Sequence, residues 1–211
     1  MLTLAARGDF PDSWPPSRPS HWRSASTACL LLRAADELHA TGTVHGDINP
    51  GSILVGPDGN GALKIRGFGC AWTVRSVGKT MRPEDPVGTL RDRSPEQLIR
   101  SSGCYGPEVD IWALGCVMAE LLTGGEPLFT ATTEEDMITM GVEAFHGMVE
   151  LSVAGREVLA GLLAFHSEER LTAADALKHR RRRMRRRCPL RLPKRSSLAL
   201  CRRSLKRRRV Q

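Results

Sequence analysis

A mainly α-helical domain with one small β-hairpin next to a polar loop is the fold class the sequence predicts, and three stretches predict it. Residues 109–123 place Ile111, Leu114, Val117, Met118, Leu121 and Leu122 in a wide apolar stripe at helical spacing. Residues 24–41 set Ala28, Leu31, Leu32, Ala35 and Leu38 on one face, and Gly42 follows as a C-terminal cap. The run SILVG, PDGNG, ALKI over residues 52–65 reads as strand, turn and strand.

The other elements follow in chain order. Residues 1–23 are irregular, because Pro11, Pro15, Pro16 and Pro19 each remove a helical hydrogen bond. The folded unit spans residues 24–179. Residues 69–108 read as loop, with Pro83, Pro86, Pro95 and Pro107 among scattered charges. Helices are expected over 134–146 and 152–164. A last one begins at TAADAL, where Thr172 and Asp175 suit a capping box. No internal repeat is evident.

The formal charge of +8 hides a split. From Lys178 onward there are 17 Lys and Arg and no acid, which leaves 14 basic against 23 acidic residues before it. The sequence is thus an acidic body with a basic, self-repelling and disordered tail over residues 180–211. No apolar run reaches the length of a membrane span; the longest helix-like one, IWALGCVMAELL, carries Glu120. The start has neither the basic nor the long apolar region of a signal peptide. The six Cys form no CxxC pair and no metal spacing, so reduced thiols in the nucleus or cytoplasm are expected.

The stretch VHGDINPGSILV, residues 44–55, carries the chemistry. It presents Asp47 two residues after His45, just before the first strand. Together with IRGFG, VGTLRDRSPEQLI, VDIWALGCVMAELLTGGEPLF and LLAFHSEERLTAADALKH, it resembles the C-terminal lobe of a eukaryotic protein kinase. The wording is most similar to cyclin-dependent kinases, and five motifs in order make the likeness specific. The resemblance implies a kinase-like C-lobe over residues 24–179, ATP and Mg²⁺ as cofactors, and Asp47 as the catalytic carboxylate. It also implies nucleotide-side positions at Asn49, Ser52 and Leu54.

Several of those positions depart from the family pattern. Gly46 stands for the Arg of the catalytic loop, Asn49 for its Lys and Ser52 for its Asn, while Gly67-Phe68-Gly69 stands for Asp-Phe-Gly. A glycine cannot ligate a metal, so no metal ligand is assigned. Losing the metal costs several kcal/mol of transition-state stabilisation, about a thousandfold or more in rate. The 23 residues before the first helix hold no GxGxxG and no VAIK-like strand, so an N-lobe is not expected and Leu54 would floor a roofless adenine pocket. The activating phosphothreonine position holds Glu84, whose reader would be Gly46; Thr73 and Thr80 are weaker candidate phosphosites. The architectural positions are kept: Glu96 and Arg170 as a buried ion pair, and Asp110 and Trp112 bracing the catalytic loop.

These residues also have plainer readings. Asp47 reads more simply as a carboxylate that caps its own loop, and His45 as a packed structural residue. The tail reads as a nuclear-import or nucleic-acid patch, as a weaker arm for anionic membranes, or as an extension past the natural end of the gene. The leading expectation is a truncated pseudokinase that works through protein partners. The alternatives are an active Ser/Thr kinase whose N-lobe is missing from this sequence, and a nucleic-acid contact through residues 180–211.

Overall fold

The computed structural model describes residues 25–55, 63–74, 87–99, 105–123, 125–130, 132–140 and 151–182. The Pro-rich start, the hairpin turn, Thr80, Glu84, the end of the 134–146 helix and the tail beyond Arg182 lie outside the described residues. What is described is mostly helical, with four short antiparallel strands.

Helix α1 runs Ala25–Ala40 and ends as its sequence predicts: Gly42, at φ 73°, donates its N–H to the His39 carbonyl. Strand β1, Thr43–Val44, leads into the polar loop. Strands β2, Ile53–Val55, and β3, Leu63–Ile65, form the expected hairpin, with Ile53 opposite Ile65 and Leu54 opposite Lys64.

Helix α3, Glu108–Thr123, is buried on nearly every side, from Val109 through Ala119. That explains why its apolar residues outrun a single stripe: a helix apolar all round belongs in a core. It packs against α1 and against α5, Val153–Leu162. The approach to α5 is close at Gly115, where a Cβ would stand 2.7 Å from Leu163 Cδ2. Helix α6, Ala173–Arg182, closes over α1. Thr172 caps it by accepting the Asp175 N–H at 3.1 Å, and Ser152 caps α5 in the same way on Gly155. The core joins Leu31 and Ala35 of α1, Leu114 and Val117 of α3, and Leu159 and Leu162 of α5.

The stretch read as loop, 69–108, is corrected in two places. Strand β4, Trp72–Thr73, pairs antiparallel with β1, Val44 opposite Trp72. Helix α2 spans Pro95–Ile99. Its start follows known capping chemistry: Ser94 precedes Pro95 at the first helical position, and the Gln97 side chain accepts the Ser94 N–H at 2.9 Å. Helix α4, Glu134–Met140, is held to the segment before α2 by Arg93, which bonds Glu134 at 2.8 Å and the Gly88 carbonyl at 3.0 Å.

The candidate active-site loop

The polar loop leaves β1 and is suspended from α3 by one side chain. Asp110, 1 % exposed, accepts the His45 N–H at 2.8 Å, the Gly46 N–H at 2.9 Å and the His39 Nε2 at 2.9 Å. A buried carboxylate is tolerable there because three donors satisfy it. Asp110→Asn exchanges one accepting oxygen for an amine that faces a donor. It is expected to cost about 1–3 kcal/mol, read by urea unfolding; an unchanged midpoint would refute the suspension role.

His45 is fully buried, as the plainer reading holds. Its Nε2 meets the Arg66 carbonyl at 2.9 Å, its Nδ1 accepts the Asp47 N–H at 3.3 Å, and its ring meets Phe68 edge-on at 4.8 Å. With Nε2 donating and Nδ1 accepting, the ring is fully engaged in holding the loop.

Asp47 is half-buried, and one of its oxygens is fixed. Oδ1 accepts the Thr89 N–H and hydroxyl, each at 2.8 Å, and the Asn49 Nδ2 at 3.0 Å. Among the described residues Oδ2 takes no hydrogen bond. Thr89, from the segment before α2, is a site residue that sequence reasoning did not single out. It lies in the quoted motif VGTLRDRSPEQLI, but a separation of 42 residues from Asp47 becomes a contact only through the fold.

Asn49 and Ser52 are brought together, but on each other. Asn49 caps the turn Pro50–Ser52 by accepting the Ser52 N–H, while the Ser52 hydroxyl accepts the Asn49 N–H at 3.0 Å and donates to the Asn49 carbonyl at 2.8 Å. The Asn49 amine is spent on Asp47 and, at 3.2 Å, on the Thr89 hydroxyl. Ser52 is 6 % exposed. Leu54 is buried at 5 % within β2. Gly67 is exposed, and nothing lies within 4 Å of where a Cβ would stand.

A small hollow beside the loop is lined by Gly46, Asp47, Thr89, Asp92, Gln97 and Asp110, among others. Asp92, also missed from the sequence, has its carboxyl pushed up to about 7, mainly by burial, with repulsion from Glu120 and Asp47 outweighing the attraction of Arg91. At neutral pH this group is partly protonated.

The polar loop and the segment before α2 thus meet at the Asp47 carboxylate, and Phe68 of the Gly67–Gly69 turn packs on His45 of the same loop. The family model for the protein kinase domain matches residues 18–180. The chain belongs to the protein kinase family. It is 38 % identical over 180 residues to a putative cyclin-dependent kinase F-2 of Oryza sativa subsp. japonica, a match covering 70 % of this chain and 53 % of that protein. It is 37 % identical over 158 residues to a probable cell division protein kinase of Encephalitozoon cuniculi, covering 70 % and 57 %. Against mouse Aurora kinase C the identity is 31 % over 156 residues, covering 72 % and 54 %. The chain spans about half the length of these curated relatives. Its place among Ser/Thr-kinase-like proteins with cyclin-dependent-kinase-like relatives is therefore firm. No described helix is long and apolar enough to cross a membrane.

Kinases of this family use ATP and Mg²⁺, so the metal positions can be tested for fit. They do not fit a hard dication, which takes oxygen ligands and usually a carboxylate. Gly67 supplies no donor atom, the Ser52 hydroxyl is buried and bonded to Asn49 at both its donor and acceptor sides, and the Asn49 Oδ1 is occupied by the Ser52 N–H.

Proposed function

We propose that this chain is a pseudokinase: a protein-kinase-like domain that acts by binding protein partners and does not transfer phosphate. The observation that carries this reading is the self-contained pairing of Asn49 with Ser52, together with a glycine, Gly67, at the position of the family's metal carboxylate. Phosphoryl transfer depends on positioning and on neutralising phosphate charge. Here a polar amide stands where the family has a cation, and no side chain stands at the main metal position. Retention of the scaffold, in the Asp110 suspension and the Glu96–Arg170 pair, supports a fold kept for its surfaces. A nuclear or cytoplasmic setting accords with its cysteine usage.

One observation favours a second reading, that of an active kinase. Asp47 keeps an oriented carboxylate, with Oδ1 fixed by Thr89 and Oδ2 unbonded among the described residues, as a general base requires. A single experiment separates the two. The purified chain is incubated with labelled Mg-ATP and a mixed Ser/Thr peptide library, beside its Asp47→Ala variant. The pseudokinase reading expects incorporation equal to that of Asp47→Ala. Incorporation that Asp47→Ala abolishes would establish the kinase and overturn the proposal.

A further inference from the structure

Gly46 occupies the position from which, by family resemblance, an Arg would read a phosphate on the activation segment. The space beside it is not empty. A Cβ on Gly46 would stand 2.5 Å from Trp72 Cζ3, 3.2 Å from Trp72 Cε3 and 2.7 Å from the Cys70 carbonyl oxygen. The Gly46 backbone also has φ 76°, which side chains rarely adopt. Two independent constraints, one steric and one conformational, thus hold this position to glycine, and the indole fills the room a longer residue would need.

Trp72 is itself anchored. It lies in β4 opposite Val44, one residue before the His45 and Gly46 amides that Asp110 holds. Its ring meets Tyr105 edge-on at 5.9 Å, and it packs against the buried group Val44, Tyr105 and Val109. Its Nε1 is buried and makes no hydrogen bond among the described residues. An indole kept in place with its N–H unsatisfied is held for its shape. A paired ribbon of two residues per strand is too short to be stable alone, so the side-chain packing has to fix it.

We infer that Trp72 is a positioning residue that clamps the catalytic loop at Gly46 by apolar packing, so that the loop keeps its place without a phosphorylated activation segment. The clamp replaces a charge-reading contact with a steric one. It neither needs a phosphate nor weakens with salt, unlike an exposed ion pair.

The test is hydrogen exchange on the full-length chain, read at the segment containing His45 and Gly46 and referenced to α5 as a reporter of global unfolding. Trp72→Ala is expected to speed exchange at His45–Asn49 at least tenfold relative to α5, and Trp72→Phe less than threefold. Gly46→Ala is expected to speed it in the native background, and by a smaller factor on top of Trp72→Ala, where the ring is gone but the Cys70 carbonyl and the positive φ remain. Phosphatase treatment and 1 M NaCl are expected to leave the native segment unchanged. A Trp72→Ala variant whose loop and α5 loosen equally would reduce Trp72 to general packing and overturn the inference. So would a tenfold loosening of the native loop on phosphatase treatment, an arm that stands even where Trp72→Ala does not fold.

Discussion

Replacing Arg170 by alanine is expected to lower the stability of the folded domain by about 3–5 kcal/mol, the cost of leaving one partner of a buried ion pair alone. The Arg170 side chain is fully buried, and Glu96 is 9 % exposed. The guanidinium donates to both Glu96 carboxylate oxygens, at 2.6 and 2.9 Å, in a planar fork that lysine cannot reproduce. It also donates to the Glu108 carbonyl at 2.7 Å and the Ala164 carbonyl at 3.1 Å, and lies 5.3 Å from the centre of the Trp112 ring. One side chain therefore ties α2, the start of α3 and the segment after α5. Its loss strands a carboxylate and two carbonyls together. Urea unfolding of Arg170→Ala, Glu96→Ala and the double variant measures the coupling directly. The double variant is expected to be clearly less destabilised than the sum of the singles. Strict additivity, or a loss under about 1 kcal/mol for Arg170→Ala, would show that the pair is not what joins these elements.

Asp92→Asn is expected to work in the opposite direction and to depend on pH. The native carboxyl titrates near 7, against 3.8 for an unperturbed one. Below about pH 4 both folded and unfolded chains hold the proton, and the group contributes nothing. As pH rises from about 4 to 7, the unfolded chain ionises while the folded chain resists, so native stability falls; above 7 the full penalty applies. The neutral amide escapes this penalty. At pH 8 the variant is expected to be more stable than the native chain by roughly 2–4 kcal/mol, with the difference fading towards zero near pH 4. Unfolding curves at pH 4, 6 and 8 read it. A gain that is the same at every pH would show that the effect is steric rather than protonic. Burial sets most of the shift, and the charged neighbours that adjust it are Glu120 from α3, which raises it, Arg91 beside it, which lowers it, and Asp47 from the loop, which raises it.

Much of the fold can be read from local pattern, because the signals that make these elements are local. The stripe of α3, the Gly42 stop after α1, the Thr172 cap of α6 and the β2–β3 hairpin each depend on residues within a turn or two of one another. Helix α2 has an equally local signal, since Ser94-Pro95-Glu96-Gln97 carries a capping-box pattern with proline at the first helical position, but the prolines around it mask that signal in the sequence. The β1–β4 ribbon had no such signal. Two residues per strand give no alternation to detect, and their pairing joins positions about 29 residues apart.

The site divides in the same way. The sequence by itself determined which groups these positions can offer, since Gly67 has no side chain in any conformation and Asn49 carries no charge at any pH. It also determined the partners Glu96 and Arg170, because motif order fixes them. Only the tertiary structure decided how the remaining groups are used. It turned Asn49 and Ser52 onto each other, brought Thr89 across 42 residues to fix Asp47, set a half-buried Asp92 within reach of two other acids, and laid Trp72 into the space left by Gly46. Composition and spacing set what a side chain can donate or accept. Which atom it meets, and how much water remains around it, is settled when distant segments pack.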